Sequence, residues 1–124
     1  ETKTVASPQQ VSEARNLVNQ IYIDPAVREY IVDLIRATRQ PAKVDGGLKH
    51  LIRAGASPRG TINLALTARA HAFIAGRAFV TPQDIKDMAH DVLRHRILLS
   101  YEAEAEEIDT DQILDRILNK VPVP

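Results

Sequence analysis

Apolar residues recur along this chain at spacings of three and four, in stretches of which all but the last open on proline. Val11, Ala14, Leu17, Val18 and Ile21 mark a first stripe and predict a helix from about Pro8 to Gln20. Val27, Tyr30, Ile31, Leu34 and Ile35 mark a second, from Pro25 to Arg39. Ile85, Met88, Ala89, Val92 and Leu93 predict a helix over Pro82 to Arg96. Ile113, Leu114, Ile117, Leu118 and Val121 predict a last one over Thr110 to Lys120. The run from Pro58 to Ala75 differs. Ile62, Leu66, Ala70 and Phe73 form one apolar face, and Leu64, Ala65, Ala68, Ala72 and Ala75 form a second face of small residues. A helix apolar on two sides is usually surrounded, so this one is expected at the centre.

Four helix starts carry the same local signal, a capping residue followed by proline: Ser7-Pro8, Asp24-Pro25, Ser57-Pro58 and Thr81-Pro82. The cap side chain takes a free first-turn N–H, and proline at the first helical position has no N–H to lose. Gln10 and Asp84, three residues after their caps, allow reciprocal capping boxes. Gly76 suits the stop of the central helix. Asp24-Pro25 divides the first two stripes, which are expected to form a helical hairpin.

The pattern weakens elsewhere. Gln40 to Ala56 is long for a connection, with Pro41 and Gly46-Gly47 near its start. A functional or mobile loop and a disordered surface excursion describe it equally well. Leu51-Ile52-Arg53 and Ile97-Leu98-Leu99 could pair as short strands. Glu102 to Asp111 is acidic throughout, and residues 102–109 read as a solvated linker before the last helix. Recruitment of Mg²⁺ or a basic partner there is the weaker reading. The sum is an all-α fold, a compact bundle of about five helices with at most one small strand pair.

Composition narrows the function classes. A chain of 124 residues is one domain. Its 16 basic and 16 acidic residues balance, which gives no case for nucleic acid, even with Arg94-His95-Arg96 grouped at a helix end. There is no cysteine, hence no disulfide framework or thiolate metal site, and no apolar run long enough to span a membrane. A cytoplasmic protein fits. The chain starts at Glu1 without an initiator methionine and ends just after a helix, so we read residues 1–124 as one domain cut from a longer protein.

No complete active site is visible. The chain has no phosphate-binding loop, no dinucleotide loop and no nucleophile elbow. Its four histidines lack metal-site spacing, and Ser57 has no base partner, so it reads as a cap. Arg59 stands apart. It sits in the first turn of a proline-led helix, between Gly55 and Gly60, where free N–H groups and the helix dipole favour anions. Its guanidinium is a planar, always charged, two-point donor. From the residues alone, a phosphate ligand and a surface carboxylate partner are equally good readings.

The run Gly55-Ala56-Ser57-Pro58-Arg59-Gly60 resembles the sensor-2 motif of MoxR-type AAA+ ATPases. Three further pieces resemble the family in the same order: Tyr30-Ile31-Val32 with Ala37-Thr38-Arg39, Ala75 to Ile85, and Val92-Leu93-Arg94-His95-Arg96-Ile97. The resemblance covers roughly Val18 to Tyr101. It implies the C-terminal helical lid of an ATPase whose phosphate loop and Mg²⁺ site lie in a preceding α/β domain. It further implies that Arg59 reaches the γ-phosphate of ATP, supported by Ser57, Pro58 and Ile62, and that hydrolysis moves the lid. The implied cofactors are ATP and Mg²⁺ in the full-length protein, with none held by these residues alone. The implied partners are the α/β domain, a neighbouring subunit of a ring, and client proteins activated in a chaperone-like way. Residues 1–124 alone are then expected to hydrolyse no ATP. The rival is a stand-alone helical interaction module with no nucleotide site. Two departures from the family stand out: the stretch between Arg39 and Gly55 is longer than usual, and Gly60 replaces the common alanine. Glycine there costs up to ~1 kcal/mol of helix propensity, which suggests a looser first turn.

Overall fold

Each proline-led signal begins a helix in the computed structural model, which describes residues 1–124. The order is α1 (Pro8–Val18), α2 (Pro25–Arg39), β1 (Ile52–Ala54), α3 (Pro58–Ile74), α4 (Pro82–Leu93), β2 (Leu98–Leu99), α5 (Tyr101–Ala105) and α6 (Thr110–Lys120). Single 3-10 turns occupy Pro41–Lys43, Gly46–Leu48 and Arg94–Arg96. The fold is mostly helical, with one antiparallel ribbon, in which Ile52 pairs with Leu99 and Ala54 with Leu98, and a single parallel bridge between Tyr22 and Phe79. The ribbon strands are nearly those expected from the sequence.

One cluster of 25 buried apolar residues forms the core. It includes Tyr30, Ile31, Leu34 and Ile35 of α2, Leu64, Ala68 and Ala72 of α3, Ile85, Ala89 and Leu93 of α4, and Ile113, Leu114 and Ile117 of α6. The small-residue side of α3 is the buried one, and α4 packs most extensively against that helix. Alanines at 68 and 72 leave room for a neighbouring backbone to come close.

Two expectations about packing fail. The first helix does not form a hairpin with the second: its main neighbour is α3, and none of its own residues is buried. Arg69 of α3 secures the chain just beyond it, Nε donating to the Ile21 carbonyl at 3.0 Å. Nor is α3 surrounded. Ile62 and Leu66, the other apolar face, remain open to solvent.

The stretch from Gln40 to Ala56 is ordered rather than a loose excursion. Leu48 and Leu51 are fully buried, and Asp45 caps the second 3-10 turn by accepting from Gly47 N at 3.0 Å. Asp45 also accepts from Arg116 of α6 at 2.8 Å. The bond from Arg116, then that from Gly47, hold the Asp45 carboxyl below its ordinary pKa against its partial desolvation.

Residues 102–109 are not simply a linker. The acidic stretch begins inside α5, whose Ala103 is fully buried, and Ser100 caps that helix through Ala103 N at 3.2 Å. It ends in a 6→1 and 5→2 pair of bonds, Ile108 N to Ala103 O and Glu107 N to Glu104 O. Glu107 takes the left-handed position, φ 55°, that glycine usually fills. Gly76 fills the matching place after α3, φ 78°, with Arg77 N donating to Ala72 O and Gly76 N to Phe73 O.

Candidate functional site

The turn from Gly55 to Gly60 is held against the end of α2. Thr38, fully buried, accepts from Ala56 N at 2.9 Å and donates to the Ile35 carbonyl at 2.7 Å. Arg39 donates through Nη1 to the Ala56 carbonyl at 3.2 Å. Both polar groups of the Ala56 backbone are thus taken by α2 side chains. Gly55 permits this approach. A Cβ there would overlap the Thr38 carbonyl and come within 2.7 Å of Arg39 N.

Gly60 has a packing reason rather than a loosening effect. It is buried, and an added Cβ would lie 3.0 Å from Ile35 Cδ1, 3.3 Å from Leu93 Cδ2 and 3.4 Å from Ala56 Cβ. The first turn of α3 is pressed into the core at this point, contrary to the looser turn that propensity suggested.

Arg59 points the other way in character. It is exposed, and no hydrogen bond or ion pair involves its side chain. The carboxylate-partner reading therefore has no partner. Ser57 occupies the cap position with extended backbone, φ −79° and ψ 170°, yet its side chain accepts no first-turn N–H. Ser7, Asp24 and Thr81 all do so, from Gln10 N, Ala26 N and Asp84 N. The expectation that Ser57 acts as a side-chain cap is not met. Pro58 has no N–H and Gly60 N donates to the Ser57 carbonyl at 2.8 Å, so the N-terminus of α3 leaves the Arg59 N–H open beside that residue's unpaired side chain. Pro58 sits at the first helical position, exposed, and Ile62 lies one turn on, 60% exposed.

Ile62 opens a groove of about 440 Å³ between α2 and α3. Ile23, Ile31, Ala65 and Leu66 line it, with Arg28 and Arg69 on its border. Arg59, Ile62 and Leu66 follow at helical spacing, so the arginine precedes the groove on the same side of α3.

The segment Ala75 to Ile85 builds structure. Asp84, 1% exposed, receives two bonds from Arg77, at 2.6 and 2.5 Å, one from Thr81 N at 2.8 Å and one from His71 Nδ1 at 2.7 Å. An ionised carboxylate only accepts, so Nδ1 carries the proton. Burial is the largest single influence on Asp84 and pushes its pKa up. The donors from Arg77, Thr81 and His71 together overcome it and hold the carboxyl far below its ordinary value. Arg94, at the end of α4, donates to Asp111 at 2.7 Å, so the Arg94-His95-Arg96 cluster ties that end to α6. No group of three or more histidine, aspartate or glutamate side chains is placed to share a metal ion.

The family model described as the AAA lid domain matches residues 48–117, from the fully buried Leu48 to Ile117 of α6. The chain belongs to the AAA lid domain family. This lid is 32% identical over 125 residues to Chaperone MoxR1 of Mycobacterium tuberculosis, covering 100% of the lid and 33% of that protein. It is 39% identical over 110 residues to Protein MoxR of Paracoccus denitrificans, covering 83% of the lid and 32% of that protein. The crystal structure of a "putative ATPase" from Cytophaga hutchinsonii superimposes with a TM-score of 0.94 at 44% identity, over 98% of the lid and 37% of that chain. The lid is thus of MoxR type, and it spans about a third of the length of these relatives.

The sequence singles out Arg59 and the turn that carries it. The task of Thr38 and Arg39 is not legible there, because a bond across 18 residues leaves no local pattern. Asp84 reads there as a cap. The cap is present, but the same carboxylate is also the buried acceptor of Arg77.

Proposed function

We propose that this lid senses nucleotide in a MoxR-type AAA+ ATPase, with Arg59 binding the γ-phosphate of ATP. The observation that carries this reading is an unpaired, exposed Arg59 on a turn clamped to α2, with its own backbone N–H also free at the helix start. Those groups fit a phosphate oxyanion. ATP and Mg²⁺ would be held chiefly by a preceding α/β domain, since no side-chain group here is arranged to share a metal. Arg59 would stabilise charge on the transferred phosphoryl group, and its contact would end when the γ-phosphate leaves. The lid would then rotate, and in a ring of subunits that rotation would drive chaperone-like activation of a client protein. Ser57 would support the site by leaving the Arg59 N–H uncapped, Pro58 by starting the helix just before the arginine, and Ile62 by standing one turn on.

In the full-length protein, Arg59→Ala is expected to cut ATP turnover on the order of 100-fold, with ADP affinity and the melting temperature retained. Hydrolysis at the parental rate would overturn the sensor reading.

The apolar groove supports a second reading, a protein-docking module without a nucleotide site. The two separate in one comparison. Ile62→Asp abolishing partner binding while Arg59→Ala changes nothing would favour the docking module.

A further inference from the structure

Beside the sensor turn lies a second group of cations that the reading above does not use. A cleft of about 350 Å³ opens between the end of α2 and β1, lined by Arg39, Gln40, Arg53, Ala54 and Gly55. Its walls are mostly polar and hold no carboxylate. The chain as a whole has equal numbers of acids and bases, so this is a local excess of positive charge. Four arginines elsewhere, Arg36, Arg77, Arg94 and Arg116, each lie within 3.5 Å of an acid, and Arg69 and Arg96 bond backbone carbonyls. Arg53 makes no hydrogen bond or ion pair, and Arg39 commits only Nη1, to the Ala56 carbonyl. The rest of the Arg39 fork stays open.

Both arginines stand on fixed backbone. Arg53 lies between the two paired positions of β1, Ile52 and Ala54. Arg39 closes α2 and is held by its bond to the turn. Between them Gly55, with no side chain, presents bare backbone to the cleft.

The geometry points to an oxyanion seat: the Arg39–Arg53 cleft takes a phosphate that ATP and ADP have in common, next to the γ-phosphate that Arg59 reads. Two planar forks without an acid between them suit phosphate oxygens, and the polar walls offer no stacking surface for a base. The same short turn supplies one wall of the cleft at Gly55 and carries Arg59 four residues on. A polyphosphate chain is the ligand that presents oxyanions in succession to both. This inference rests on the reading of the chain as a nucleotide-sensing lid.

The test uses the full-length protein and measures ATP and ADP affinity by calorimetry. Arg53→Ala is expected to weaken both nucleotides alike, about tenfold, the loss of one charge-assisted contact. Arg53→Lys is expected to recover part of the loss, since it keeps the charge and loses the fork. Arg59→Ala is expected to weaken ATP more than ADP. Because Arg53 is exposed and unbonded, its variants should melt with the parent, which a thermal melt checks. Parental affinity of Arg53→Ala for both nucleotides overturns the inference. So does a loss confined to ATP, or a variant that binds nucleotide normally while its assembly falls apart, as a partner carboxylate in the cleft would produce. If Arg59→Ala weakens ATP more than ADP while Arg53→Ala changes the affinity for neither, the cleft inference fails and the sensor reading stands. If Arg53→Ala weakens both nucleotides while Arg59→Ala changes neither binding nor turnover, the sensor reading fails and the cleft stands.

Discussion

Arg77 grips Asp84 with both terminal nitrogens, at 2.6 and 2.5 Å, and thereby joins the end of α3 to the start of α4. Asp84 is almost wholly buried, while Arg77 keeps access to water. Asparagine would remove the charge and replace one of the two acceptor oxygens with a donor NH2 group facing Arg77, Thr81 and His71. Asp84→Asn is expected to destabilise the fold by about 3 kcal/mol, the lower end for a broken buried pair because Arg77 can resolvate. Chemical denaturation at neutral pH measures it.

The same carboxylate sets an acid limit. Its folded pKa is depressed despite the opposing effect of burial, because Arg77, Thr81 and His71 donate to the ionised form. Folding therefore favours the deprotonated state. Its stabilisation is complete above the ordinary aspartate range, about pH 4, and is lost as pH falls through the depressed native value. Asp45 and Asp111, also lowered, act in the same direction. The midpoint of urea unfolding should fall below about pH 4, and the Asp84→Asn variant should show a shallower fall. Equal slopes in the two proteins would contradict this assignment.

Two glycines in one turn should respond differently to a methyl group. At Gly55 the added Cβ meets backbone, which cannot move aside. Gly55→Ala is expected to cost about 3 kcal/mol and to displace the turn that carries Arg59, which loss of protection at the Ala56 amide would reveal. At Gly60 the nearest atoms are the ends of the Ile35 and Leu93 side chains. Their small shift is offset by up to ~1 kcal/mol of helix propensity, so Gly60→Ala should melt close to the parent. Gly60→Val, with two further methyl carbons to place, should not.

Glu107 holds a left-handed conformation that costs a residue with a side chain roughly 1 kcal/mol. Both of its neighbouring cap bonds depend on backbone alone. Glu107→Gly is expected to raise stability by about that amount, less the added freedom of the unfolded chain. A rise in melting temperature is the readout, and a fall would show that the glutamate side chain contributes something the bonds do not record.

Helix starts were legible because proline and its cap act within four residues. The ribbon was legible because Ile52 and Leu99 sit in short apolar runs. What periodicity could not supply is the identity of a neighbour. The stripe on α1 is apolar, yet it lies on α3 rather than on α2. The Ile62 and Leu66 face of α3 reads like core, yet it is open, since spacing records composition and not what covers it. α5 was missed because a five-residue helix with one buried alanine is too short to show a stripe. Ser57-Pro58 looks like the other three starts, yet in the fold its hydroxyl takes no first-turn N–H. The identity of Arg59 was legible. Its lack of a partner was not, because every acid in the chain was a possible one.

The hydroxyl of Thr38 passes a hydrogen bond through itself, receiving from Ala56 and giving to Ile35. Its one proton is committed to α2, so the bond to the turn has a single allowed direction and no rotamer slack. The frame of reference for Arg59 is therefore the axis of α2, and not its own helix alone. A swing of α2 would carry the guanidinium along an arc as the tip of a rigid pointer, with no rearrangement inside the turn.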